Sequence, residues 1–144
     1  MLVKEVYMAD IIKRIEYYYT TTSDRPGSGA RILNALKAGR VSLLAFTGFP
    51  NNGSAQLDFV PKNARTFLSA ARKARVKLVG PKTAFLVQGQ DKTGSVADVI
   101  SKLAKAHINI TAIDAVTGGR NRYGAIIWVK PRNVAAAAKV LKAK

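Results

Sequence analysis

The sequence predicts an α+β protein made of two βαββαβ units in tandem, each an antiparallel sheet with helices on one face. One observation is a repeat: DRPGS at residues 24–28 returns as DKTGS at residues 91–95, and further matches share the same spacing. The other observation is the alternation, in each copy, of short β-branched or aromatic runs with segments of helical periodicity. We therefore predict a first unit at residues 1–80, with an extra N-terminal segment, and a second unit at residues 81–144.

The first strand of each copy is predicted at residues 15–22 and 84–89. Both runs are rich in aromatic and β-branched side chains and end at the polar DRPG and DKTG turns. An amphipathic helix follows each turn. In the second copy Val96, Val99 and Leu103 have the spacing that buries one face of such a helix.

The next two strands of each copy are predicted to form a hairpin. In the first copy, residues 41–48 lead through a Gly- and Asn-rich loop into residues 55–60. In the second copy, residues 108–115 lead through TGGRNR into residues 123–130. Loops of this composition are typical of connections between antiparallel strands.

A second helix is predicted to begin at Pro61 in the first copy and at Pro131 in the second, because proline suits the first turn of a helix. The first copy then continues into a predicted fourth strand at residues 74–80. The second copy has no such segment before Lys144. We therefore expect residues 2–8 to close the sheet of the second copy, in this chain or in a partner chain.

Composition excludes several kinds of chemistry. The chain has no cysteine and a single histidine, His107, so disulfides, thiolate catalysis and zinc sites built from these residues are excluded. We predict no metal and no cofactor. The carboxylates show no paired spacing, and no glycine-rich segment matches a phosphate-binding loop, so we predict no enzymatic activity.

The charge and hydropathy of the chain indicate which partners it attracts and in which compartment it is found. The chain has 24 Lys and Arg against 8 Asp and Glu, a formal net charge of +16, which attracts anions of every kind. Charged residues occur from the N-terminus onward, and no apolar run reaches the roughly 20 residues of a membrane span. The sequence therefore predicts a cytoplasmic protein with no membrane partner.

Both copies resemble the ACT domain, a small regulatory ligand-binding module of ferredoxin-like βαββαβ fold. The resemblance is carried by YYYTTTSDRPGSGARILNALKAGRVSLLAF and, more closely, by AFLVQGQDKTGSVADVISKLAKAHINITAI. In the second copy the family pattern is matched by the DKTG turn and by Ile108, Asn109 and Ile110. The resemblance implies a tandem, allosteric, amino-acid-binding protein that acts on a separate metabolic enzyme, with its ligand at the interface of paired units.

The two turns are the candidate ligand sites. A helix that begins after a glycine offers free N–H groups to a carboxylate, and a nearby aspartate suits an ammonium group, so an amino acid fits both. In the alternative interpretation the aspartate caps the helix and the glycine permits the turn. The candidate ligand-binding residues are Asp24, Arg25, Pro26, Gly27, Ser28, Asp91, Lys92, Thr93, Gly94, Ser95, Asn109 and Ile110.

The predicted function is therefore non-catalytic regulation through a small metabolite, an amino acid or a similar small anion. A homodimer is expected, because the consecutive tyrosines at residues 17–19 point to both faces of a strand. The helices cover one face of the sheet, so the apolar side chains on the other face are expected to be buried by self-association. The alternative is a basic nucleic-acid-binding module on a ferredoxin-like scaffold. The stretch RYGAIIWV at residues 122–129 faintly resembles an RNA-recognition strand, but we interpret Tyr123 and Trp128 as packing residues.

Overall fold

The computed structural model describes residues 10–144, which form six antiparallel β-strands and four α-helices. The predicted α+β class is confirmed. Among these residues, no helix is both long enough and apolar enough to cross a membrane. In chain order the elements are β1 (Ile11–Ser23), α1 (Ser28–Ala38), β2 (Leu43–Asn51), β3 (Ser54–Pro61), α2 (Ala64–Lys73), β4 (Val79–Gln90), α3 (Ser95–Lys105), β5 (Ile110–Gly119), β6 (Arg122–Val129) and α4 (Val134–Leu141), with a short 3-10 turn at Pro131–Asn133 before α4.

Contacts divide the chain into two compact units. The contiguous unit is Glu16–Lys82, and the split unit joins the described residues of Met1–Ile15 to Thr83–Lys144. This division differs from the predicted one chiefly in the place of residues 10–15, which contact the second copy. Strands β1 and β4 are long, and each has residues in both units.

The contiguous unit has strand order β2-β3-β1, with the first residues of β4 beside β1. Strand β3 pairs antiparallel with both neighbours, so that Phe59 lies opposite Tyr18 on one side and Phe46 on the other. Helices α1 and α2 bury their apolar faces against this sheet. The Phe67 ring lies 5.4 Å from the rings of both Tyr18 and Phe59, measured between centroids, and these aromatic side chains form the centre of the core.

The split unit has strand order β4-β6-β5, and the first residues of β1 lie on the other side of β4. Ile12 is 5% exposed and belongs to the core formed with β4, β6, α3 and α4. The backbone here also bonds to the end of the chain: the Lys144 N–H donates to the Ile12 carbonyl, and the Arg14 N–H donates to the Lys144 carbonyl, both at 3.0 Å. Residues 11–15 therefore act as the fourth strand of the second copy, in the same chain. The segment predicted for this role, residues 2–8, lies outside the described residues.

All four helices end in the same way. Each is followed by a non-glycine basic residue in the left-handed conformation, namely Arg40, Arg75, His107 and Lys142, with φ between 51° and 58°. The N–H of the next residue donates to the carbonyl five residues back, at 2.9 to 3.0 Å in every case. This is the Schellman arrangement, a common helix C-terminus.

The fourth strand of the first copy, predicted at residues 74–80, is largely wrong. Its first residues form the end of α2, because the Arg75 and Val76 N–H groups donate to Arg72 and Ala71. The strand begins only at Val79 and continues without a break into the strand predicted at residues 84–89.

Candidate functional site

A cleft of about 240 Å³ lies at the start of α3 in the split unit. The DKTG turn and the first turn of α3 line one part of it, and strands β5 and β6 line the rest. The lining residues are Asp91, Lys92, Gly94, Ser95 and Val96 from the turn and helix, Ala115, Val116 and Thr117 from β5, and Tyr123 from β6. Four of the residues predicted from the sequence as ligand-binding thus border one concavity.

The DKTG turn is held by its backbone and by one buried hydroxyl. Gly94 has φ 83°, a left-handed conformation that glycine adopts without strain. The Ser95 hydroxyl, in a side chain that is buried, donates to the Lys92 carbonyl at 2.9 Å. The Asp91 N–H donates to the Asn121 carbonyl at 2.7 Å, which ties the turn to the β5–β6 hairpin. The turn therefore forms without using the carboxylate of Asp91, which is exposed.

The start of α3 leaves backbone N–H groups free of intrahelical partners. Gly94 is the residue before the helix, and the first intrahelical bond runs from the Asp98 N–H to the Gly94 carbonyl, at 2.9 Å. The N–H groups of Val96 and Ala97 precede that bond, so the helix leaves them unpaired. Among the side-chain hydrogen bonds within residues 10–144, none joins the Asp91 carboxylate to an N–H group of α3. The arrangement thus favours an anion acceptor over a capping aspartate.

Tyr123 connects the cleft to Asp10, the residue just before β1. Its hydroxyl donates to the Asp10 carboxylate Oδ2 at 2.8 Å, and the side chain is only 6% exposed. Burial, and then the hydrogen bond to Asp10, raise the pKa of Tyr123 well above its ordinary value. The phenol therefore remains a protonated donor throughout the physiological range. Residues at opposite ends of the sequence thus meet beside the cleft.

Gly89 is required for this contact. A Cβ atom at Gly89 would overlap the Asp10 carboxylate and would lie 2.6 Å from Cε1 of Tyr123. The Tyr123 ring is buried within strand β6 and has little room to move, so a side chain at Gly89 would also force the Asp10 carboxylate to turn away. The absence of a side chain on β4 therefore permits Asp10 and Tyr123 to approach each other.

We expect Gly89→Ala to lower the free energy of unfolding by about 1–3 kcal/mol, the usual cost of overpacking a tight site. Gly118→Ala is the matched control, because a Cβ atom there has no neighbour within 4 Å. Chemical denaturation followed by circular dichroism measures both changes. Equal midpoints for the two variants would show that Asp10 and Tyr123 separate at little cost.

The DRPG turn occupies the corresponding position in the contiguous unit. Gly27 has φ 91°, and the Arg31 N–H donates to its carbonyl at 2.9 Å, so the backbone repeats that of the second turn. Asp24, Arg25 and Pro26 are exposed. The Ser28 hydroxyl differs from its counterpart, since it lies 2.6 Å from the hydroxyl of Ser23.

Three other predicted ligand residues do not line the cleft. Thr93 is exposed in the turn, and Asn109 is exposed just before β5. Ile110 is half-buried and packs against the core of the split unit. Any ligand contact by Asn109 is therefore separate from the cleft at α3.

Sequence reasoning missed the strand side of the cleft. Val116 is 73% exposed, an unusual degree for a large apolar side chain in a strand. Tyr123 was interpreted as a packing residue; it does belong to the core, and it also lines the cleft. Nothing in the local sequence marks Ala115 to Thr117 as neighbours of residues 91–96, because their proximity arises from the folding of the sheet.

Neither a protein-family model nor a curated protein sequence matches this chain. Among solved structures it is similar to protein BT0572 from Bacteroides thetaiotaomicron, with a TM-score of 0.77 and 14% identity over 92% of this chain and 88% of that one. It is also similar to the regulatory subunit of aspartate kinase from Thermus thermophilus, with a TM-score of 0.64 and 17% identity over 96% and 97% of the two chains. For the same subunit from Thermus flavus the TM-score is 0.58 and the identity 18%, over 93% and 94%. Similarity at these identities shows the fold, and the fold of this chain is therefore the ACT fold to which its DRPG and DKTG motifs pointed.

Proposed function

We propose that this chain is a non-catalytic regulatory protein that binds a free amino acid in the cleft at the start of α3. The observation that supports the proposal is that one small cleft is lined both by Asp91, whose side chain is exposed, and by Val96, whose N–H group precedes the first intrahelical hydrogen bond of α3. The Ala97 N–H group follows directly in the same helical turn. An α-carboxylate accepts hydrogen bonds from the Val96 and Ala97 N–H groups, where the helix dipole also favours negative charge. An α-ammonium group pairs with Asp91.

Size and lining support a small ligand. The cleft of about 240 Å³ is below the range of roughly 300–1,000 Å³ typical of drug-sized ligands. Val116 and Ala115 offer apolar surface to a side chain, while Thr117 offers a hydroxyl. A metabolite with both charges on one carbon and a short side chain suits these features.

The solved structures with the same fold include regulatory subunits of aspartate kinase. This supports a regulatory role in preference to a chemical one. By the same reasoning, we propose that the protein acts in the cytoplasm on a separate enzyme and that it self-associates. Regulation further requires two arrangements of the protein that bind the amino acid with different affinities.

A thermal-shift panel of the twenty amino acids tests the proposal. A ligand at about 100 times its dissociation constant adds roughly 2.7 kcal/mol to the stability of the folded state. For a chain of this size that raises the melting temperature by several degrees, at roughly 2–4 °C per kcal/mol. The shift should be nearly the same at low and moderate salt, because an amino acid releases few counterions.

Asp91→Asn should abolish the shift given by the best amino acid, because the variant keeps the shape of the side chain but loses the charge that pairs with the ammonium group. Asp24→Asn is the matched control: it makes the same chemical change in the corresponding turn of the contiguous unit, at a residue that does not line this cleft. We expect the control to retain most of the shift. A panel in which no amino acid moves the melting temperature by a degree, or a full shift in Asp91→Asn, would contradict the proposal.

A further inference from the structure

The contiguous unit carries a surface of uniform charge. Between Arg25 and Lys82 the sequence has a single acidic residue, Asp58, and that residue is only 5% exposed. The basic residues of α1, α2 and the turns that follow them are all exposed. We call this surface the α1–α2 face; it consists of Arg31, Lys37, Arg40, Arg65, Arg72, Lys73 and Arg75.

The helices distribute these charges over the whole face. Arg65 and Arg72 are seven residues apart on α2, so they lie on one side of the helix about 10 Å from each other. Helix α1 packs against α2. Gly39, which follows α1, lies against Ala70 in the last turn of α2, because a Cβ atom at Gly39 would be only 2.6 Å from the Cβ of Ala70. Arg40 is therefore near the basic residues at the end of α2.

Two of these arginines occupy strained positions. Arg40 and Arg75 each have φ 58°, in the left-handed region that glycine adopts most easily. A non-glycine residue there costs roughly 1–2 kcal/mol. The attraction of a basic side chain to a helix C-terminus returns only about 0.3–1 kcal/mol. Basic residues hold the same conformation after α3 and α4, at His107 and Lys142, so these helix ends add charge to the face without being specific to it.

We propose that the α1–α2 face binds the phosphate backbone of double-stranded nucleic acid, as a second function independent of the amino-acid cleft. Guanidinium groups recognise phosphates through paired hydrogen bonds. The face offers no stacking platform for unpaired bases, since α1 has no aromatic residue and Phe67, the aromatic residue of α2, is fully buried. Contacts limited to the backbone carry no direct sequence information, so the binding is independent of sequence.

Fluorescence anisotropy with a labelled duplex DNA of about 20 base pairs tests this proposal across roughly 50–200 mM salt, a range in which affinity carried by phosphate contacts falls steeply. The test variant combines Arg31→Gln, Arg65→Gln and Arg72→Gln. The matched control combines Lys102→Gln, Lys105→Gln and Lys139→Gln, which are exposed on α3 and α4 and lower the net charge by the same amount. The melting temperature of each variant verifies folding.

The test variant should lose about tenfold or more in affinity at the lowest salt, and its plot of log K against log salt should flatten by about 0.9 for each phosphate contact removed. The control should stay close to the original protein. Equal losses in the two variants, no binding by the original protein at 50 mM salt, or tighter binding of a single strand of the same length would each overturn the proposal. The thermal-shift panel reports on the cleft separately, because none of the substituted residues lines it.

Discussion

Replacing Ile12 with alanine is expected to lower the free energy of unfolding by about 2–5 kcal/mol, the usual cost of truncating a buried aliphatic side chain. Ile12 is 5% exposed and packs into the core of the split unit, far along the sequence from its neighbours. Ile11→Ala is the matched control: it is the same substitution one residue away, at a side chain that is 40% exposed. Urea denaturation followed by circular dichroism measures both.

The comparison tests whether the start of β1 is the fourth strand of the second copy. If Ile12→Ala and Ile11→Ala unfold at the same urea concentration, residues 11–15 do not hold that position in solution. A large difference between the two variants agrees with the fold as described, because only Ile12 contacts the core.

Phe67→Ala should have a comparable or larger effect, about 3–5 kcal/mol, in the contiguous unit. The Phe67 ring is 0% exposed and lies 5.4 Å from the rings of Tyr18 and Phe59, so its removal leaves a cavity at the centre of the core. Leu68→Ala is the control, since Leu68 is adjacent in the helix and 38% exposed. A loss in Leu68→Ala as large as that in Phe67→Ala would mean that the face of α2 turned toward the sheet is wrongly assigned.

Much of the fold could be predicted from the sequence because its local signals agree with one another. The repeat of DRPG and DKTG, the periodicity of each first helix and the loop composition of each hairpin all indicate the same element order, which the structure contains. Two predictions about the second helix of the first copy are wrong. Pro61 is the last residue of β3, and α2 begins only at Ala64, after Asn63 accepts a hydrogen bond from the Thr66 N–H. The other error lies at the end of α2, where a backbone motif overrides composition. Residues 74–78 contain valine and leucine, a composition that predicts a strand. In the structure the Arg75 and Val76 N–H groups instead donate to carbonyls of α2, in the Schellman arrangement that ends this helix.

The candidate site could be predicted only in part. The DKTG turn has a local signature, since glycine in the left-handed conformation and serine at the helix start are short-range requirements. The remainder of the cleft depends on strand pairing: Thr117 lies opposite Tyr123, and Tyr123 reaches Asp10 across more than a hundred residues. The sequence has no local signal for this long-range pairing, so the strand side of the cleft could not be predicted.

The split unit has a consequence for synthesis. On the ribosome, residues 11–15 are made about 70 residues before the part of β4 that pairs with them, and the Lys144 backbone that bonds to Ile12 is made later still. Translation adds roughly 5–20 residues per second, so the start of β1 has no partner strand, and Ile12 no core to pack into, for several seconds. The contiguous unit, whose elements are all made by Lys82, is free to fold during that wait. If the contiguous unit folds first, residues 11–15 are attached to a folded unit while they are still unpaired. This lowers the chance that they pair with a strand of another nascent chain.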